Sequence, residues 1–143
     1  MQILFVADPL ESFQIYKDTT FAMMRDLQKR GHSLSACETK DIRWQQGENV
    51  TGFVRDITLT GDAKNWFTAK QAYPNERPQA LKDFGAVVMR KDPPFDSEFF
   101  YSTHLLEQAE REGAKVFNKI PNASPCVVRL HPLIVVVRIL MHR

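Results

Sequence analysis

The sequence contains little cysteine and no cluster of metal-binding residue types. Only Cys37 and Cys126 occur among the 143 residues, and they are far apart, whereas zinc sites and redox pairs need closely spaced cysteines. Cys37 lies in an apolar segment, where a free thiol behaves as a small core residue. His32 and His104 each stand alone beside a predicted helix, and we expect structural roles for both. The sequence therefore predicts no metal site.

Long apolar runs are also absent. The run at residues 133–137 has only five members and lies between Pro132 and Arg138, far short of the ~20 apolar residues that span a bilayer. Residues 1–12 contain no basic residue ahead of their short apolar run, so they do not have the pattern of a signal peptide. We predict no membrane partner and a cytoplasmic location.

Acidic residues are missing from one end of the chain. All 17 precede Ile120, so residues 1–119 carry a formal charge of −1 and residues 120–143 a charge of +3. The net charge of +2 therefore belongs to a short tail and does not indicate a basic nucleic-acid-binding surface. We predict no nucleic-acid partner.

Apolar runs alternate with segments of helical spacing in the remainder of the chain. Continuous apolar runs are typical of strands that are buried on both faces, as in a parallel sheet. The predicted strands are residues 3–7, 33–38, 85–89 and 114–118, and the predicted helices are residues 17–30 and 98–112. This alternation predicts an α/β fold, with an open, mainly parallel sheet and crossover helices on its faces.

The segment between the second and third of these strands has a different pattern. In residues 42–46 and 50–59 apolar residues are spread among polar ones on either side of Gly47, which predicts a hairpin of partly exposed strands. Residues 62–78 are polar and predict a loop, with a helical turn around Trp66. We therefore expect a hairpin excursion from the main sheet.

Charged residues follow the first predicted strand. Open α/β sheets bind ligands beyond the carboxyl ends of their strands, and the loop there contains Asp8, Lys17 and Asp18. The N–H groups at a helix start attract anions, and Lys17 would strengthen that attraction. The alternative is that Asp18 is only a helix cap. The six glycines form neither a G-x-G-x-x-G nor a Walker A motif, so no phosphate cradle is predicted in this segment.

A second charged loop, RKDPPFD, follows the strand at residues 85–89. It begins at Arg90 and ends at Asp96, which is a candidate N-cap of the next helix. One interpretation is a solvated turn in which Arg90 and Lys91 are surface charges. The other is that the adjacent prolines force an extended backbone and fix the direction of Arg90, whose guanidinium suits a carboxylate ligand.

The sequence around these two loops resembles that of a known protein family. The stretches FVADPLESFQIYKDTTFAMMRDLQKRGH and VVMRKDPPFDSEFFYSTHLLEQAEREGAKVFNK resemble the N-terminal part of bacterial glutathione synthetases. The most specific part is MRKDPPFD, because so many ordered polar and proline positions rarely recur by chance. The resemblance covers residues 1–119 and implies a Rossmann-like domain of the type that precedes the ATP-grasp domains.

The resemblance implies an ATP-grasp ligase. Such enzymes use ATP and magnesium to phosphorylate a carboxylate, and an amine then attacks the acyl phosphate. In this family the resemblance implies that the carboxylate is the cysteinyl one of γ-glutamylcysteine and the amine is glycine, which gives glutathione, ADP and phosphate. This domain would form one wall of the substrate site and contribute no catalytic residue or metal ligand, because ATP and magnesium bind to later domains. The predicted substrate-binding residues are Arg90, Asp92, Asp8, Lys17 and Asp18. A homo-oligomer is also implied.

The resemblance ends near Lys119. Residues 120–143 contain three prolines and no acid, and they lack the helical pattern with which the family continues. We interpret them as an aberrant tail, produced by a frameshift or by divergence, rather than as a domain. The expectation is a truncated glutathione synthetase that is inactive by itself. The alternatives are a non-catalytic binding or oligomerisation module and a non-functional frameshift product.

Overall fold

The computed structural model describes residues 1–71, 78–92, 94 and 96–118. This part of the chain contains two α-helices, a six-stranded sheet and a three-stranded sheet. The elements are β1 (Gln2–Ala7), α1 (Thr19–Lys29), β2 (Ser33–Cys37), β3 (Ile42–Arg43), β4 (Thr51–Gly52), β5 (Arg55–Leu59), β6 (Phe67–Gln71), β7 (Gln79–Ala80), β8 (Ala86–Arg90), α2 (Ser97–Arg111) and β9 (Val116–Phe117).

The large sheet has the strand order β6-β5-β2-β1-β8-β9. Strands β2, β1, β8 and β9 are parallel, whereas β5 and β6 are antiparallel additions at one side. In the centre, Leu4 of β1 lies between Ser35 of β2 and Val87 of β8. The predicted α/β fold with a mainly parallel sheet is confirmed.

The two helices cover opposite faces of the large sheet. Phe5 of β1 belongs to the same apolar cluster as Met24 of α1, while the adjacent Leu4 clusters with Leu106 of α2. Successive side chains of a strand point to opposite faces, so both faces of β1 are covered. All four of these side chains are fully buried, which explains the continuous apolar run in the sequence and confirms helices on both faces.

The predicted hairpin is present only in part. Strands β3 and β4 pair antiparallel across a connection in which Gly47 has a φ of +87°, and β7 completes their small sheet. The predicted second strand, residues 50–59, is divided, because β5 leaves the hairpin and pairs antiparallel with β2 of the large sheet. Its alternating pattern buries Ile57 and exposes Asp56 and Thr58, as expected for a strand covered on one face.

The prediction of a loop over residues 62–78 is wrong for residues 67–71. These residues form β6, which pairs antiparallel with β5. The preceding Trp66 is 7% exposed. Its ring stacks on that of Phe13 at 5.7 Å between centroids and lies perpendicular to that of Phe21 at 5.3 Å. Distant residues thus hold the start of a strand whose own sequence is mostly polar.

Several predictions fall outside the described residues. They concern the remainder of the polar loop at residues 72–77, the proline pair through Pro93, and the tail at residues 120–143. Within the part of the chain that is described, no helix has the length and apolarity needed to cross a membrane.

A charged cleft at the ends of two parallel strands

Strands β1 and β8 lie side by side in the large sheet, and the chain leaves them in opposite directions. After β1 it passes through α1 to β2 on one side, and after β8 it passes through α2 to β9 on the other. Loops that diverge in this way leave a crevice at the carboxyl ends of the strands. Ala7 and Arg90 are partners at this edge, and Asp8 follows directly.

Arg90 is held by the start of α1. Its Nε donates a hydrogen bond to Oγ1 of Thr20 at 3.0 Å, and its Nη2 donates to Oγ1 of Thr19 at 2.7 Å. The partners lie 70 and 71 positions apart in the sequence, and Thr20 is buried. Because two of the five N–H donors of a guanidinium are fixed in this way, the protein sets the plane of the group before any ligand binds.

Asp18 is the N-cap of α1. Its Oδ1 accepts hydrogen bonds from the backbone N–H groups of Thr20 at 2.8 Å and Phe21 at 3.3 Å. These N–H groups are thus satisfied within the protein, contrary to the expectation that the helix start itself attracts an anion. Cationic side chains are left to do so, and Lys17 is exposed beside the cap. The cap also orders the two threonines that hold Arg90.

Asp8 joins the loop after β1 to the loop after β8. Its Oδ1 lies 2.5 Å from Nζ of Lys91, and its Oδ2 accepts a hydrogen bond from the backbone N–H of Asp92 at 3.1 Å. The two side chains of the ion pair are about one quarter exposed. The hydrogen bond to Asp8 raises the pKa of Lys91 against the opposing effect of desolvation. Each residue from Arg90 to Asp92 therefore has its own contact to a neighbouring element.

The loop after β1 is held from its other side by the antiparallel strands. Phe13 of this loop stacks on Trp66, and Oε1 of Glu11 lies 2.8 Å from Nη1 of Arg55 on β5. The hydrogen bond from Arg55 lowers the pKa of the Glu11 carboxyl. Strand β5 and Trp66, which directly precedes β6, thus support one wall of the crevice.

A cleft of about 340 Å³ lies between these loops. It is close to the lower limit of the usual size of small-molecule sites. Its described lining contains only polar and charged side chains, namely Ser12, Gln14, Lys17, Asp18, Thr19, Thr20, Arg90 and Asp92. Two cations and two carboxylates are therefore brought together at the carboxyl ends of β1 and β8.

Four of the five predicted substrate-binding residues line this cleft. They are Lys17, Asp18, Arg90 and Asp92. The fifth, Asp8, is not part of the lining and instead forms the ion pair that joins the two loops. The sequence shows that charges follow the strands. Only the structure shows which of these residues face the cleft and which one supports it from behind.

Sequence reasoning missed the hydroxyl groups that hold the guanidinium. The adjacent Thr19 and Thr20 follow the cap residue Asp18, and this arrangement is a usable signal. A cap side chain that accepts hydrogen bonds from the first helical N–H groups fixes the backbone of the next two residues. The hydroxyls of those residues can then accept hydrogen bonds from a cation. The choice of Arg90 as the donor depends on strand order and could not be found locally.

Other candidate chemical groups lie outside the cleft. Burial, aided by nearby carboxylates, raises the pKa of the Cys37 thiol, and an inaccessible protonated thiol is not a nucleophile. His32 is buried, and Nδ1 of His104 lies 3.9 Å from Oε2 of Glu107. Among the described residues, no three His, Cys, Asp or Glu side chains are grouped as metal ligands.

Comparisons with known proteins agree with this architecture. Residues 1–123 match the family model described as prokaryotic glutathione synthetase, N-terminal domain. The chain is 48% identical over 119 residues to the glutathione synthetase of Ralstonia nicotianae, covering 83% of this chain and 35% of that protein. It is 46% identical over 136 residues to that of Bordetella pertussis, covering 92% and 40%.

A more distant relative is the glutathione synthetase of Vibrio parahaemolyticus, 38% identical over 125 residues that cover 87% of this chain and 38% of that protein. The chain spans 35–40% of the length of these three relatives. The family match covers most of the chain and includes both loops of the cleft, so the resemblance in the sequence is confirmed. The chain belongs to the prokaryotic glutathione synthetase family and matches its N-terminal domain.

Proposed function

We propose that the chain serves glutathione synthesis by holding a γ-glutamyl peptide in the charged cleft. The family reaction ligates glycine to γ-glutamylcysteine at the expense of ATP. The observation that carries the proposal is the orientation of Arg90 by Thr19 and Thr20 at the edge of the sheet where open α/β folds bind ligands.

The geometry of Arg90 suits a carboxylate. Its contacts with the threonines use the Nε and Nη2 edge of the guanidinium, which leaves the Nη1 and Nη2 edge to form two parallel hydrogen bonds with a carboxylate. A group that is already oriented loses less side-chain entropy on binding. An oriented substrate also lowers the barrier of the later ligation step.

The other predicted residues have complementary roles in this proposal. Lys17 supplies a second cation, and the carboxylates of Asp18 and Asp92 accept from an ammonium group of the ligand. Asp8 contributes to binding from behind the cleft, because it fastens Lys91 and the backbone of Asp92.

The ATP-dependent step is not assigned to these residues. The described residues contain no grouping of metal ligands, and the lining of the cleft has no glycine-rich loop that could cradle phosphates. The resemblance to the family implies that ATP and magnesium bind to later domains, so the chain by itself is expected to bind the peptide without turnover. A cytoplasmic location and a homo-oligomer also belong to the proposal and rest on the resemblance to the family.

Calorimetric titration of the chain with γ-glutamylcysteine and with glutathione tests the proposal. Arg90→Ala should weaken binding by about tenfold or more, because hydrogen bonds to charged groups contribute ~1.5–3 kcal/mol. Arg30→Ala is the matched control. Arg30 pairs with Asp26 at 2.8 Å near the other end of α1, about 16 Å from the cleft at 1.5 Å per helical residue, and its removal should leave the affinity unchanged.

Two results would overturn this function. One is the absence of any heat of binding in the unmodified chain up to the solubility limit of the peptides. The other is an equal loss of affinity in both arginine variants. A coupled assay of ADP release with ATP, magnesium, γ-glutamylcysteine and glycine should show no turnover by the 143-residue chain, and turnover would refute the assignment of the ATP-dependent step to other residues.

A further inference from the structure

We infer that Asn118, which lies outside the cleft, is a positioning residue for Arg90. Asn118 directly follows β9 and is not part of the described lining of the cleft. Its side chain instead bonds the peptide group from which Arg90 begins. Any effect of Asn118 on peptide binding rests on the proposed function, whereas its effect on Arg90 needs no ligand.

The backbone of Asn118 has a conformation that residues with a side chain usually avoid. Its φ is +64°, and the other four described residues with a positive φ are glycines. Glycine adopts such a φ at the lowest cost, whereas asparagine does so less readily but can bond nearby backbone through its side chain. An asparagine where glycine would be the easier choice therefore indicates that its amide group has a role.

The role of this amide is visible at the end of β8. Strand β9 pairs with β8 in parallel, and the register ends with Phe117 opposite Val88. Nδ2 of Asn118 donates a hydrogen bond to the carbonyl of Met89 at 3.1 Å, one residue beyond that pair. The side chain thus extends the ladder by one hydrogen bond, although β9 itself ends at Phe117.

This hydrogen bond acts on Arg90 through a shared peptide group. The carbonyl of Met89 and the N–H of Arg90 belong to one planar unit, so a partner that holds the carbonyl also fixes where Arg90 leaves the strand. On the other side of β8, Ala7 of β1 is the partner of Arg90. The main chain is therefore held from both neighbouring strands, while Thr19 and Thr20 hold the guanidinium.

A rotation at the end of β8 would displace the guanidinium. If the peptide group of Met89 rotated, the Cα–Cβ bond of Arg90 would change direction, and the bonds to the two threonines would require another rotamer of the side chain. Asn118 therefore contributes to the position of the guanidinium without contact to it.

Nuclear magnetic resonance of the ¹⁵N-labelled chain without ligand tests this positioning. The Nε–H group of Arg90 donates to Thr20, and Arg90→Lys identifies its signal by removing it. Asn118→Gly keeps a residue that adopts a positive φ but removes the amide donor. The Nε–H signal of Arg90 should therefore shift, and its exchange with water should become severalfold faster.

Two further variants separate positioning from stability. Val116→Ala is the matched control in β9. It truncates the half-buried side chain opposite Val87 and keeps Asn118, so it should lower the urea midpoint but leave the Nε–H signal of Arg90 unchanged. Asn118→Asp keeps the size of the side chain, but an ionised carboxylate cannot donate to the carbonyl of Met89. It should change the signal as Asn118→Gly does.

The affinity for γ-glutamylcysteine measures the consequence of this positioning. Asn118→Gly should weaken binding by about fivefold, because it removes one neutral hydrogen bond, whereas Val116→Ala should leave the affinity unchanged. When Asn118→Gly is added to Arg90→Ala, no further loss should occur, since Asn118 acts through Arg90.

Three results would overturn the inference. The first is an unchanged Nε–H signal in Asn118→Gly although the urea midpoint falls, and the second is an equal change of this signal in Val116→Ala. The third is a further loss of affinity when Asn118→Gly is added to Arg90→Ala. If the unmodified chain does not bind the peptide, the proposed function fails, while the signal of Arg90 in the ligand-free chain still decides whether Asn118 positions it.

Discussion

The large sheet has two parts that differ in construction and in their relation to the cleft. The central parallel strands β1 and β8 are buried on both faces, whereas the antiparallel β5 exposes every second side chain. The parallel part carries Asp8 and Arg90 at its ends. The antiparallel part contributes no residue to the described lining of the cleft, but Arg55 of β5 and Trp66, which directly precedes β6, hold the loop after β1. One part therefore presents the charges, and the other supports a wall of the cleft from behind.

The two parts of the sheet should differ most in how much stability a side-chain truncation costs. Phe5 of β1 is fully buried and is among the largest side chains of the core, so Phe5→Ala should lower the free energy of unfolding by about 3–5 kcal/mol. Thr68 on β6 is exposed, and Thr68→Ala should change it by less than about 0.5 kcal/mol. Urea unfolding followed by circular dichroism measures both, and similar losses would contradict the distinction.

The supporting role of the antiparallel part can be broken at Trp66. Trp66→Ala removes the ring on which Phe13 stacks and should lower the free energy of unfolding by about 3 kcal/mol. Because the loop after β1 then loses its support, the affinity for γ-glutamylcysteine should also fall. Trp66→Phe retains an aromatic ring and should recover most of both properties. A variant that loses stability but binds the peptide with unchanged affinity would show that this part does not support the cleft.

A smaller effect is expected from the ion pair behind the cleft. Lys91→Met removes the partner of Asp8 and should cost about 0.2–1 kcal/mol of stability, while Lys91→Arg should restore the pair. Since bonding to Asp8 raises the pKa of Lys91 above its ordinary value of 10.5, the contribution is complete below that pH. It should be lost as the pH rises through the raised value. Peptide affinity that falls in the Met variant and returns in the Arg variant marks Lys91 as a positioning residue.

The smallest effect is expected where the antiparallel part meets the loop through exposed charges. The side chain of Glu11 is 61% exposed, and Glu11→Gln should cost no more than about 0.5 kcal/mol near neutral pH. Arg55 lowers the pKa of this carboxyl below its ordinary 4.5, so its contribution is present above pH 4.5 and is lost as the pH falls through the lowered value. Unfolding of both proteins at neutral and at strongly acidic pH should show the difference disappear; a constant difference would contradict this cause.

The sequence predicted the parallel part well because a strand that is buried on both faces has a continuous run of apolar residues. Residues 3–7 and 85–89 are continuous apolar runs, and the helices carry caps such as Asp18 and Asp96, which both accept from helix N–H groups in the structure. Strand β6 has no such apolar run. Its mostly polar residues form a strand because they pair with β5 and because the preceding Trp66 contacts distant aromatic rings.

The cleft was predictable to a similar extent and for a related reason. Charges just beyond a strand can be read from the sequence, and strand order in an open α/β sheet brings such charges together. The partners of those charges cannot be read in this way. The contacts of Arg90 with Thr20 and of Asp8 with Lys91 join positions 70 and 83 apart, and they form only after β8 has taken its place beside β1.

In the proposed function, a γ-glutamyl peptide binds between the two loops and Arg90 holds it. Nuclear magnetic resonance of the ¹⁵N-labelled chain, titrated with γ-glutamylcysteine, measures this binding at each residue. The amide signals of Thr19, Thr20, Arg90 and Asp92 should shift and saturate together, and these shifts should be lost in Arg90→Ala. Shifts confined to the small sheet of β3, β4 and β7, or equal shifts in the Arg90→Ala variant, would contradict the proposed function.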